Sequence, residues 1–153
     1  MHSKIEHLSH EEKQLILDAP ILVTALISGA DGNFDDAEIK KAVQIIHVKT
    51  FSESKDVRGV YKNIDAHSEE SIEDLIQSLP SPSGERTHVL KEKLSKLNDI
   101  FPKLDHHFAA DLYKSLRELA YYVSRAHDGD LGIGFHNEQE EKLVHLDFLH
   151  EQK

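Results

Sequence analysis

The chain of 153 residues contains no cysteine. That excludes disulfides, thiolate nucleophiles and cysteine-bound zinc or iron–sulfur centres, and it fits a reducing compartment. Positive charge is scarce too: 18 Lys and Arg stand against 28 Asp and Glu, for a formal net charge of -10. Phosphate binding needs clustered cations that release counterions, so no nucleic-acid partner is expected, nor attraction to an anionic membrane surface. The small basic groups, Lys40-Lys41 and Lys91 to Lys96, alternate with acids and read as solvated helix faces. Long hydrophobic runs are missing. The longest, Ala19 to Ala30, is interrupted by Pro20, Thr24, Ser28 and Gly29, and at about a dozen residues it falls short of the roughly 20 that span a bilayer. Met1-His2-Ser3-Lys4 opens into polar sequence without the apolar core of a signal peptide. A cytoplasmic protein with no membrane insertion is the expectation. Alternation of apolar and polar residues between turn residues is also lacking, which excludes a substantial sheet.

What is present is helical punctuation. An apolar fraction of 39% with 30% charged residues describes an ordinary globular chain, and its length suits a single domain over 1–153. Ser9 and Glu12 have capping-box spacing, ahead of a helix with Leu15, Ile16 and Ala19. Pro20 suits the first turn of a second helix, which is apolar nearly all round (Ile21, Leu22, Ala25, Leu26) and hence central. Asp31-Gly32-Asn33 ends it. Asp35 with Glu38 opens a third helix, with Ile39, Ala42, Val43 and Ile46 facing inward. A short polar helix covers 55–64, and Ser68 opens another with Ile72, Leu75, Ile76 and Leu79 on one side. Pro80-Ser81-Pro82-Ser83-Gly84 reads as a linker.

Beyond it Leu90, Leu94, Leu97, Phe101 and Leu104 step by four and three, a helical stripe suited to core packing or to a partner. Pro102 must kink this helix or start the next. Phe108, Leu112, Leu116, Leu119 and Val123 continue an apolar face to about Ala126. A glycine-rich loop over 128–135 follows, then a last helix from Asn137 holding Leu143, Val144, Leu146 and Leu149. The sum is an all-α, single-domain bundle of about seven or eight helices.

One pattern occurs twice. Ala25-Leu26-Ile27-Ser28-Gly29-Ala30-Asp31-Gly32 runs an apolar helix into an Asp-Gly turn, followed by a helix with Glu38. Tyr122 to Asp128-Gly129 repeats helix and turn, and Glu138, Glu140 and Glu141 open the helix after a loop about three residues longer. Two pseudo-repeated helix–Asp-Gly–helix units result. In these stretches the chain resembles the TerB-like family of tellurite-resistance and stress-associated domains. Leu94 to Leu104 with Phe108 to Leu119 is similar to a subgroup of that family, so the resemblance spans roughly Leu15 to Leu149. It implies an all-helical bundle acting as a non-catalytic stress-response module, and, for some members, a divalent-cation site of acidic residues near these turns. Carried onto this chain, that nominates Asp31, Glu38, Asp128 and Glu141 for Ca²⁺ or Mg²⁺, with Glu138 or Glu140 as alternatives to Glu141.

Physically, gathered carboxylates repel one another and a hard cation relieves the repulsion through oxygen ligands. A purely structural reading is equally physical: Asp35 and Glu38 suit a helix N-terminus, and Asp-Gly is an ordinary turn. An EF-hand is excluded, because counting from Asp31 puts Asp36 at the sixth position and Ala42 at the twelfth; from Asp128 they are Ile133 and Gln139. Twelve histidines include no His-Glu-x-x-His motif, and adjacent His106-His107 point to different sides of a helix. No nucleophile elbow, phosphate loop or dinucleotide fingerprint occurs, so no enzyme is expected; the one catalytic alternative is a hydrolase using a carboxylate pair such as Glu38 with Asp128. The alternative to a metal-binding module is a protein-interaction scaffold or self-associating module, its protein partner unidentified.

Overall fold

Ser9 and Glu12 close the expected capping box: the Ser9 amide donates to Glu12 Oε1 at 3.0 Å and the Glu12 amide to Ser9 Oγ at 3.1 Å. This junction belongs to a computed structural model that describes residues 5–28, 36–79, 83–126 and 145–150. The described residues are helical throughout their cores and contain no strand. Helix α1 spans His10–Ser28, α2 Asp36–Ser52, α3 Lys55–Asp65, α4 Ser68–Ser78, α5 Ser83–Ser95 and α7 His106–Ser124; a single turn, α6 (Leu97–Ile100), and a 3₁₀ turn (Phe101–Lys103) precede α7. None of these helices is long and apolar enough to cross a membrane.

Two boundaries differ from the sequence expectation. Pro20 does not begin a second helix; α1 runs through it unbroken. The ring removes one backbone donor and clashes with the preceding turn, a cost of about 3 kcal/mol in an isolated helix. Here every residue from Ala19 to Ser28 is buried, and that packing outweighs the local penalty. Thr24 Oγ1 donates to the Pro20 carbonyl at 2.9 Å and Ser28 Oγ to the Thr24 carbonyl at 2.6 Å, satisfying hydroxyls that would otherwise be stranded in the core. The second difference concerns the expected last helix. Its described part, 145–150, is a turn with Leu146 at φ 51°. That left-handed backbone is held from outside: Arg117 Nε donates to the His145 carbonyl at 3.0 Å, while Asn98 donates to the Phe148 carbonyl at 2.9 Å and accepts from the His150 amide at 2.7 Å. Leu146 and Leu149 are buried although no helix carries them.

Elsewhere the stripes land where periodicity places them. Leu90, Leu94, Leu97, Phe101 and Leu104 are all buried, so this stripe is core. Pro102 lies in the 3₁₀ turn, and a new helix starts once Asp105 accepts from the Phe108 amide at 3.2 Å. Phe108, Leu112, Leu116, Leu119 and Val123 form the inner face of α7. Residues 80–82 of the linker-like segment lie outside the described residues, and α5 begins at Ser83.

Helix α1 is the axis of the bundle, packing on α7 more extensively than on any other helix, then on α5, α4, α2 and α3. The beginnings of α1 and α7 are fastened together at Lys103. Its carbonyl accepts from His7 Nε2 at 2.7 Å and its ammonium donates to Glu12 at 2.6 Å. Two helices that start side by side and share an extended interface run in the same sense. Helix α2 packs on both, and α3 folds back on α2, where His47 Nδ1 donates to the Asp65 carboxylate at 3.1 Å.

Candidate functional site

Of the four acidic residues nominated from sequence, Glu38 alone lies within the described residues. It sits partly buried in the first turn of α2. Asp31, Asp128 and Glu141 lie outside them, as do Glu138, Glu140, the glycine-rich loop and the two Asp-Gly pairs. Among the described residues no group of three or more His, Asp or Glu is placed to hold a metal ion. His106 and His107 are both exposed near the start of α7, ring centroids 6.0 Å apart and edge to face.

The densest polar chemistry among the described residues lies where α2, α3 and α7 meet. Lys49 continues the inward face of α2 one turn beyond Ile46 and is only 6% exposed. Its ammonium donates to Glu53 Oε1 at 2.9 Å, one turn on, and to Glu118 Oε1 of α7 at 3.0 Å. The same ammonium stands 5.8 Å from the Tyr61 ring centroid, within cation–π range. Ser115 of α7 donates to Glu53 Oε1 in a short hydrogen bond. Since the Ser115 proton is used there, the fully buried Tyr61 hydroxyl donates to Ser115 Oγ, at 2.9 Å. The result is a continuous chain, Tyr61 to Ser115 to Glu53 to Lys49 to Glu118.

Electrostatics follow from this order. Burial pushes the Glu53 carboxyl up, but the Ser115 hydroxyl, the Lys49 ammonium and the charge of Lys114 outweigh it and hold the group below its ordinary value. Burial pushes the Tyr61 phenol well above its usual range against the Ser115 hydrogen bond, and Glu53 and Glu118 add to the rise. Glu53 is thus an ionised acceptor at neutral pH, and a weak base. The Ser115 hydroxyl it holds also accepts the hydrogen bond of the Tyr61 hydroxyl. A cleft beside it, bordered by Glu53, Asp111, Lys114, Ser115 and Glu118, has a volume of about 140 Å³, below the roughly 300 Å³ at which small-molecule sites begin. This arrangement locks three helices together.

Sequence reading missed this network. Its signal was a polar residue at a core-facing helical position, Lys49 after Ile39, Ala42 and Ile46, and Ser115 beside Leu112 and Leu116. Large apolar side chains are exposed on the same two helices: Val48 and Phe51, the latter 64% exposed, on α2, and Tyr121 and Tyr122 on α7. Phe51 meets His47 edge to face at 5.9 Å, and the Arg125 guanidinium covers Tyr121 at 5.1 Å.

Set against known proteins, this all-α bundle matches no family model, no curated protein and no solved structure.

Proposed function

We propose that the chain is a non-catalytic module of TerB-like kind, one domain over 1–153 with two related helix–Asp-Gly–helix units, serving a cytoplasmic stress response. In this reading it takes a divalent cation, Ca²⁺ or Mg²⁺, on Asp31, Glu38, Asp128 and Glu141. The observation that supports it most is the position of Glu38. It occupies the first turn of α2, a helix that packs on both α1 and α7. Those two helices start together and run in the same sense, and the sequence leads from them into Asp31-Gly32 and Asp128-Gly129. Carboxylates brought together from these segments would repel one another, and a hard cation would be the simplest relief.

The test is thermal unfolding of a chelator-stripped sample with Ca²⁺ or Mg²⁺ added in turn. A bound ion raises stability by RT ln(1 + [L]/Kd), about 2.7 kcal/mol at a hundredfold excess over Kd. The gain shrinks sharply in an Asp31→Asn, Glu38→Gln variant. An unfolding temperature indifferent to every ion tried removes the cation from this reading.

The exposed Val48, Phe51, Tyr121 and Tyr122 favour a second reading, a protein-interaction or self-associating module without a metal. It predicts light-scattering mass that rises with concentration and returns to the monomer value in a Phe51→Ser, Tyr122→Ser variant. A monomer at all concentrations, with no partner captured through these residues, discards it.

A further inference from the structure

A second and larger concavity, a groove of about 620 Å³, lies between α1, the α3–α4 corner and the end of α5. Its floor is apolar, built from Leu15, Ile21 and Leu22 of α1, Ile64 of α3 and Leu75 of α4. Its rim is charged and divided. Glu11 and Asp18 stand on the α1 wall, Lys93 and Lys96 on the α5 side. The acids are served locally: Gln14 Nε2 donates to Asp18 at 3.0 Å, and Glu11 sits in the first turn of α1, where the helix dipole favours negative charge. The two lysines are exposed, and neither ammonium is paired with a carboxylate among the described residues.

We infer that this groove binds a small anionic amphiphile, its apolar body along α1 and its acidic head between Lys93 and Lys96. Volume decides the size class. A three-turn partner helix about 16 Å long and 10–12 Å wide occupies roughly 1,500 Å³, more than twice the space present. Small-molecule sites run from about 300 to 1,000 Å³ and join apolar surface to placed polar groups; here the apolar floor is flanked by Gln14, Asn63, His67 and Ser71 as well as by the charged rim. Charge decides the head. Lysine stems lie along apolar surface while their ammonium groups reach over it, so two uncommitted lysines at one edge of an apolar trough favour an anion there.

The experiment titrates ¹⁵N-labelled protein with dodecanoate below its micelle concentration, with dodecylammonium as the head-group control. Saturable amide shifts are expected around Leu15, Leu22, Ile64 and Leu75, with dodecylammonium binding about tenfold more weakly. A Lys93→Gln, Lys96→Gln variant, altered only at exposed positions, loses about tenfold in dodecanoate affinity. Equal binding of the two head groups, full affinity in the double variant, shifts centred elsewhere, or no saturable shift at all each overturns the inference.

Discussion

Lys49 and Glu118, sixty-nine positions apart in the chain, meet at 3.0 Å across the contact between α2 and α7. The same ammonium holds Glu53 at 2.9 Å, so one buried cation keeps two carboxylates in company. Removing it leaves them facing each other across the interface. Lys49→Ala is expected to cost about 2–3 kcal/mol, less than the 3–5 kcal/mol of a fully buried pair because Glu118 is 40% exposed and partly solvated. The measurement is the urea midpoint at constant m value. Lys49→Met combined with Glu53→Gln should recover at least about half of that loss, since an apolar stem and a neutral acceptor carry no stranded charge.

Glu53 sets a pH dependence. Its folded value lies below the ordinary one: the Ser115, Lys49 and Lys114 effects overcome burial. The unfolded chain therefore takes up this proton at a higher pH than the folded protein does. Stability from Glu53 is complete above the unfolded carboxylate value and is lost as pH falls through the depressed folded one. Glu12 shifts in the same direction, chiefly through its hydrogen bond to Lys103 and then the Ser9 amide. Urea midpoints should decline below about pH 5. Glu53→Gln should lower the neutral plateau and make the acid limb shallower; parallel curves for the two proteins would refute the assignment.

Tyr61 and Ser115 make an ordered pair of substitutions. Tyr61→Phe removes one donor and leaves Ser115 bonded to Glu53, so a loss of about 1 kcal/mol is expected. Ser115→Ala strands the buried Tyr61 hydroxyl and takes a donor from Glu53, a loss of about 2 kcal/mol. The reverse order would mean the chain of hydrogen bonds runs otherwise. At alkaline pH the raised folded value of Tyr61 means its contribution is intact below the unfolded value of about 10 and is lost as pH rises above it. In an ultraviolet titration the Tyr61 share of the tyrosinate signal should appear only with unfolding, and Tyr61→Phe should abolish that late phase.

Much of the architecture was legible because it is local. The Ser9–Glu12 box, the Leu90 to Leu104 stripe and the inner face of α7 each depend on residues three or four apart, the spacing a helix itself imposes. Pro20 was misread for the opposite reason: its fate depends on the burial of Ala19 to Ser28 by other helices, which no local window contains. The turn at 145–150 depends likewise on Asn98, about fifty positions earlier. The Lys49 network joins residues 54 to 69 positions apart, apart from the Lys49–Glu53 step, so composition could hint at a polar group in the core but not at its partners. Of the acidic set nominated from sequence, Glu38 alone lies in the described residues, at a helix start as its spacing implies.

Pro20 offers the sharpest separation of local and tertiary terms. Within α1 it denies a backbone hydrogen bond and carries an intrinsic penalty of about 3 kcal/mol relative to alanine. Against that, Pro20→Ala removes buried ring atoms from a packed segment, at about 1 kcal/mol for the space left behind. It also frees the unfolded chain, at up to about 1 kcal/mol. The Thr24 bond to the carbonyl of residue 20 survives the change. The balance is a net gain of about 1 kcal/mol, visible as a higher urea midpoint. If Pro20→Ala instead destabilises by more than about 1 kcal/mol, the ring is fixing the course of α1 against α7, and its packing there outweighs its cost to the helix.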